Sequence, residues 1–191
     1  MGKFEKLRFL LLFSFLLIFK VLSVAQKLDS IPNGKKNYFQ NLHKINDSMF
    51  RSEQPTKIGI LEIEKLGVKS VLSLRNIRSD AFIKRKSSLK FYKKTINAWT
   101  MTEDELIEAL KLLVSSEKPV LIHCVYGSDR TGTLVAAYRI IFEHWTKEQA
   151  IEEMMEAQYG FHDNFDNLIT LLQKLDIERV KKELNLLEKP N

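Results

Sequence analysis

Cysteine is all but missing from these 191 residues, and Cys124 is the only one. An internal disulfide is therefore excluded, which suits a bacterial periplasm better than a disulfide-stapled secreted module. No cluster of side chains at metal-ligand spacing is visible either, so neither metal nor other cofactor is expected. Glycine and proline are few, at seven and four. There is no internal repeat and no low-complexity segment.

A strong charge excess is also lacking once the first 25 residues are set aside. Lys3, Lys6 and Arg8 form a basic start, and Phe9 to Phe19 is apolar apart from Ser14. Ser23 and Ala25 then stand at the spacing of a signal-peptidase site, with Gln26 as the mature start. The apolar run is too short, and too soon followed by Lys20, for a comfortable membrane span. An uncleaved anchor is the competing reading. No cysteine follows the run, which excludes lipoprotein anchoring. Four basic residues (Lys3, Lys6, Arg8, Lys20) and one acidic residue (Glu5) leave with this leader, so the formal charge of +6 falls to +3. A nucleic-acid partner thereby loses most of its support. The expectation is an exported, periplasmic or secreted protein with no stable membrane insertion after cleavage. Residues 26–45 read as a polar lead-in arm, and residues 46–191 as one domain with a sizeable core.

Within that domain, strand-like and helix-like patterns alternate. Ser48 to Arg51 suggests a short edge strand, and Thr56 can cap a short helix that Gly67 stops. Lys69 to Arg75, Leu89 to Ile96 and Val120 to Cys124 are further strand candidates. Thr102 with Glu105, and Thr146 with Gln149, have the spacing of capping boxes. Apolar stripes at helical period follow from Leu106, Leu134, Ile151, Phe165 and Ile177. The expected fold is α/β, with a mostly parallel central sheet of about four strands flanked by helices.

The most informative stretch is His123-Cys124-Val125-Tyr126-Gly127-Ser128-Asp129-Arg130-Thr131-Gly132. It lies between the apolar run Val120 to Ile122 and a helical pattern beginning at Thr131. Five residues coiling between strand and helix can turn successive backbone N–H groups inward as an anion nest. Arg130 adds a planar fork that can bind two phosphate oxygens. The same positive field favours a thiolate, so nucleophile, anion hole and charge clamp fall within seven residues. Val125, Tyr126, Gly127, Ser128, Asp129, Arg130 and Thr131 are the substrate-binding candidates. Cys124, Arg130 and Asp129 are the catalytic ones.

H-C-x-x-G-x-D-R-T-G resembles the phosphate-binding loop of the cysteine-based protein tyrosine and dual-specificity phosphatases. Phe50-Arg51-Ser52-Glu53-Gln54-Pro55, Gly67 to Arg75 and Tyr159-Gly160-Phe161-His162 are similar to a bacterial dual-specificity-like branch. The resemblance covers roughly Asn41 to Leu175 and implies the same central sheet. It also implies a two-step phosphomonoesterase in which Cys124 attacks phosphorus and water then hydrolyses the phosphocysteine. Thr131 is expected to donate its hydroxyl to the Cys124 sulfur, with a plain helix N-cap as the competing use, and one hydroxyl can do both. His123 is expected to orient the loop rather than act as a base, because adjacent strand residues point to opposite faces.

The chain departs from the family at the general acid. An aspartate is usual about thirty residues before the cysteine, but Lys94-Thr95-Ile96-Asn97-Ala98-Trp99 carries no carboxylate. Asp129 is the preferred replacement, since myotubularin-type phosphatases are similar in placing an aspartate directly before the arginine. The competing use of Asp129 is to brace the loop. The implied partner is a phosphorylated protein or a small phosphoester, with phosphotyrosine first and phosphoserine or phosphothreonine also considered. The basic residues Arg75, Arg78, Lys84, Arg85, Lys86, Lys90, Lys93 and Lys94 raise an alternative, a phosphoinositide or inositol-phosphate phosphatase, unless they are only a solvated face. A catalytically poor phospho-ligand binding module and a rhodanese-like sulfurtransferase are the remaining alternatives. The latter is disfavoured because Arg130-Thr131-Gly132 suits phosphate rather than persulfide chemistry. Trp99 is expected to pack into the core, the other uses being to stack on a phosphotyrosine ring or to staple the helix start.

Overall fold

A strand apolar on both faces belongs in the middle of a sheet. In the computed structural model, which describes residues 38–76, 80, 83 and 87–186, the run after Pro119 is such a strand. The strands are β1 (His43–Asn46), β2 (Met49–Ser52), β3 (Ser70–Ser73), β4 (Lys90–Lys93) and β5 (Val120–His123), in the spatial order β1-β2-β5-β3-β4. β1 pairs antiparallel with β2, and the other three pairings are parallel. The fold class is the expected one. The expected leader, the lead-in arm as far as residue 37, and Arg78, Lys84, Arg85 and Lys86 lie outside the described residues.

The sheet has five strands rather than about four. The additional one, β1, straddles the point at residues 45 and 46 where arm and domain were expected to meet. Its sequence, His-Lys-Ile-Asn, is mostly polar and breaks register between Lys44 and Asn46, so it carries no alternating signal. Its presence changes β2 from an edge strand into an inner one. All four residues of β2 are buried, Arg51 and Ser52 included.

Side-chain alternation divides the core between the two faces of the sheet. Met49, Leu72, Val120 and Ile122 face the larger cluster, formed with the helices α2 (Glu103–Ser115), α3 (Asp129–Phe142), α4 (Lys147–Met155), α5 (Asp166–Gln173) and α6 (Ile177–Glu183). Phe50, Val71 and Leu121 face the smaller one, which α1 (Lys57–Lys65) covers with Ile60 and Ile63. Thr56 caps α1, and both expected capping boxes are formed, at the starts of α2 and α4.

Two features of this frame position the site. The parallel register aligns Ser52, His123 and Ser73, so β2, β5 and β3 all end at one level. The helix after β5 begins at Asp129, two residues earlier than expected, because the Ser128 carbonyl already accepts the Gly132 N–H at 2.8 Å.

Candidate active site

Between β5 and α3 the chain makes a tight loop whose carbonyl groups are all held from outside. The Val125 carbonyl accepts the Gln54 N–H at 3.0 Å. The Tyr126 carbonyl accepts the Asn41 side-chain amide at 2.9 Å. The Gly127 and Ser128 carbonyls accept from Arg51 Nη2, at 2.8 and 3.2 Å. In a planar trans peptide the following N–H points opposite to the carbonyl. Outward carbonyls from Val125 to Ser128 therefore turn the N–H groups of residues 126 to 129 inward. One of them shows this directly, since the Gly127 N–H lies 3.3 Å from Cys124 Sγ.

Gly127 is required at this point. Its φ is +77°, and a Cβ would come within 2.4 to 2.6 Å of the Ser52 and Glu53 backbone. Flexible side chains could yield at that distance, but backbone cannot.

Cys124 is almost fully buried, on the same side as Val120 and Ile122. His123 faces away from it. The His123 Nε2 lies 3.3 Å from Asp80, and its Nδ1 lies 3.2 Å from the Cys124 carbonyl. The expected orienting role fits this geometry, and the two residues do not form a nucleophile–base pair. Burial pushes the Asp80 carboxyl up, but hydrogen bonds from His123 and Gln54 and the charge of His123 outweigh it, leaving the group below its ordinary value. Asp80 thus supports His123.

Arg130 is buried, and its Nη1 reaches the carbonyls of Ile96 at 3.2 Å and Leu74 at 3.4 Å. Its Nε has no hydrogen-bond partner. One edge of the guanidinium is thus anchored, and the buried Nε on the other side is unpaired. The expected hydrogen bond from Thr131 to the sulfur is not formed. Thr131 Oγ1 is buried without any partner, since an α3 that begins at Asp129 carries Thr131 into its first turn.

Asp129 is buried and held by His162, whose backbone N–H donates to Oδ1 at 3.0 Å. The His162 Nδ1 lies 2.9 and 3.1 Å from the two carboxylate oxygens. His162 also packs at a tilt against the exposed ring of Tyr126, with centroids 5.3 Å apart. Trp99, expected in the core, is 59% exposed and leans on Phe165. It stands on the short turn after Ile96, where the Asn97 side chain accepts the Trp99 N–H and leaves the indole outside. Of the basic group, Lys90 pairs with Glu117 and Lys94 with Glu108, and Arg75 Nη1 donates to Gln54. Lys90 and Lys94 are thus answered by surface carboxylates, whereas Arg75 joins Gln54 beside the loop.

Sequence reasoning missed Asn41, Arg51, Gln54, Tyr159 and His162 as parts of the site. The available signal was the resemblance of Phe50 to Pro55 and Tyr159 to His162 to the bacterial branch, since those two segments contain all of these residues but Asn41. The Arg51 guanidinium lies 4.1 Å from the centroid of the Tyr159 ring.

The sequence model of the tyrosine phosphatase family matches residues 38–188. The chain belongs to that family. It is 27% identical over 143 residues to the dual specificity protein phosphatase TpbA of Pseudomonas aeruginosa, spanning 74% of this chain and 65% of that protein. The crystal structure of TpbA superposes with a TM-score of 0.69 at 26% identity, covering 76% of this chain and 91% of that one. A second relative, the inositol diphosphatase DSP5 of Arabidopsis thaliana, is 29% identical over 132 residues, 61% of each chain. Gly127→Ala is expected to leave the sheet folded but to abolish binding of inorganic phosphate, as isothermal titration would measure.

Proposed function

We propose that this chain is an exported phosphomonoesterase that hydrolyses phosphotyrosine, and secondarily phosphoserine or phosphothreonine, through a phosphocysteine. The observation that carries this reading is the loop with four outward-held carbonyls, its Gly127 N–H 3.3 Å from Cys124 Sγ, together with the unpartnered Nε of Arg130. The thiolate attacks phosphorus in line, the S–P bond forms, and the P–O bond to the leaving group breaks. Arg130 and the loop amides hold the equatorial oxygens, where transition-state charge is spread. Water then attacks phosphorus, releasing phosphate and restoring the thiolate. A crystal structure of TpbA in complex with phosphotyrosine shares this fold, at 24% identity and a TM-score of 0.69.

A second reading, an inositol-phosphate phosphatase, is prompted by the relatives named inositol diphosphatases. The loop argues against it, since Tyr126, Ser128 and Asp129 supply no positive lining. The exposed rings of Tyr126 and Trp99 offer apolar surface instead.

Asp129 takes the acid role, with His162 as its partner. His162 touches both carboxylate oxygens, and its exposed side connects the pair to solvent. Thr131, with a buried hydroxyl that lacks a partner, is available to the sulfur as it becomes the leaving group.

Cys124→Ser should abolish turnover of an aryl phosphate while retaining vanadate binding. Residual activity above about 1% would overturn the mechanism. Asp129→Asn should cost about 10²-fold or more on phosphotyrosine and alkyl phosphates. Activated aryl phosphates need little protonation and should be nearly spared, and the basic limb of the pH–rate profile should flatten. A uniform loss across leaving groups would make Asp129 a brace only. For export, intact mass of the processed protein should correspond to a start at Gln26, whereas retention of residues 1–20 in a membrane fraction would establish the anchor.

A further inference from the structure

Arg51 is 1% exposed, the largest fully buried side chain in the structure, and it lies directly behind the phosphate loop. Burying a cation costs several kcal/mol unless an anion answers it. Among the described residues, no carboxylate lies within ion-pairing distance of Arg51. Its polar partners are the carbonyls of Gly127 and Ser128, and the Tyr159 ring covers one face. Burial pushes the guanidinium below its ordinary value, against the opposing pull of Tyr159, Cys124, Glu153 and Asp129. Arginine nevertheless remains charged in proteins. The fold therefore keeps a full positive charge under an anion-binding loop without giving it a dedicated counterion.

We infer that Arg51 is a positioning residue with two effects on the reaction. By holding the Gly127 and Ser128 carbonyls it directs the N–H groups of Ser128 and Asp129 at the phosphate, and its unanswered charge stabilises the Cys124 thiolate and the bound dianion. The geometry is tight on the side toward α3 as well. A Cβ on Gly132 would come within 2.9 Å of Met154 Cγ and 3.3 Å of Arg51 Nη2, so guanidinium and helix are packed with little slack.

This inference rests on Cys124 being the nucleophile of an anion site, and the experiment separates the two. The rate of Cys124 alkylation by iodoacetamide at pH 6 reports the thiolate, and titration with inorganic phosphate reports the loop. Arg51→Met should alkylate at least tenfold more slowly than wild type and bind phosphate at least tenfold more weakly. A side chain that served only as packing would give the opposite sign, because a loosened loop exposes the sulfur and speeds alkylation. Arg51→Lys keeps the charge but cannot hold both carbonyls under the Tyr159 ring. It should alkylate within about twofold of wild type and still lose phosphate affinity, so it decides the positioning effect even if Arg51→Met fails to fold. Unchanged phosphate affinity in Arg51→Lys overturns the positioning effect, and faster or unchanged alkylation in folded Arg51→Met overturns the electrostatic one. A wild-type Cys124 that alkylates no faster than free cysteine overturns the nucleophile reading itself.

Discussion

The site depends on the outward anchoring of four consecutive carbonyls. Backbone N–H groups cannot be aimed individually, because peptide planarity ties each to the carbonyl before it. The chain turns its donors inward by giving every acceptor from Val125 to Ser128 a partner elsewhere: Gln54, Asn41 and Arg51. Those partners come from the segment around β1 and β2, far from the loop in sequence. The antiparallel β1–β2 pair is thus more than a sheet extension, since it carries the residues that give the loop its polarity.

A second layer holds the partners themselves. Asn41 donates to the Tyr159 carbonyl as well as to the loop, and its own oxygen faces His43 at 2.8 Å. His43 stacks edge-on against Tyr159, which in turn covers Arg51. His162, three residues beyond Tyr159, holds Asp129. The short segment from Tyr159 to His162 therefore reaches the loop at both ends, once through a cation and once through a carboxylate. Preorganisation of this kind supplies transition-state stabilisation without reorganisation during the reaction.

Much of this was legible in the sequence because the signals were local. The apolar run into His123 and the two capping boxes each lie within ten residues, and each is formed as expected. What escaped was long-range. A strand such as His43–Asn46 exists because β2 offers it a partner, and its polar residues do not alternate. Arg51 reads as a surface cation if β2 is an edge strand, and becomes a buried one only when β1 covers that edge. Trp99 was misread for a related reason, because an aromatic beside a helix start looks like core until the turn at Asn97 shows which way it faces. The helix start at Asp129 rather than Thr131 escaped for the same reason, being set by the Ser128 carbonyl accepting from Gly132.

The solitary cysteine has a further consequence, for oxidation chemistry. A thiolate taken to sulfenic acid is ordinarily rescued by a neighbouring thiol, which converts it to a disulfide before deeper oxidation becomes irreversible. Nothing in these 191 residues can serve as that resolving thiol. Recovery is left to a small thiol from outside, which must reach a sulfur that is 1% exposed, or to condensation with a backbone nitrogen. The loop that turns its N–H groups inward has also set one of them, that of Gly127, 3.3 Å from the sulfur.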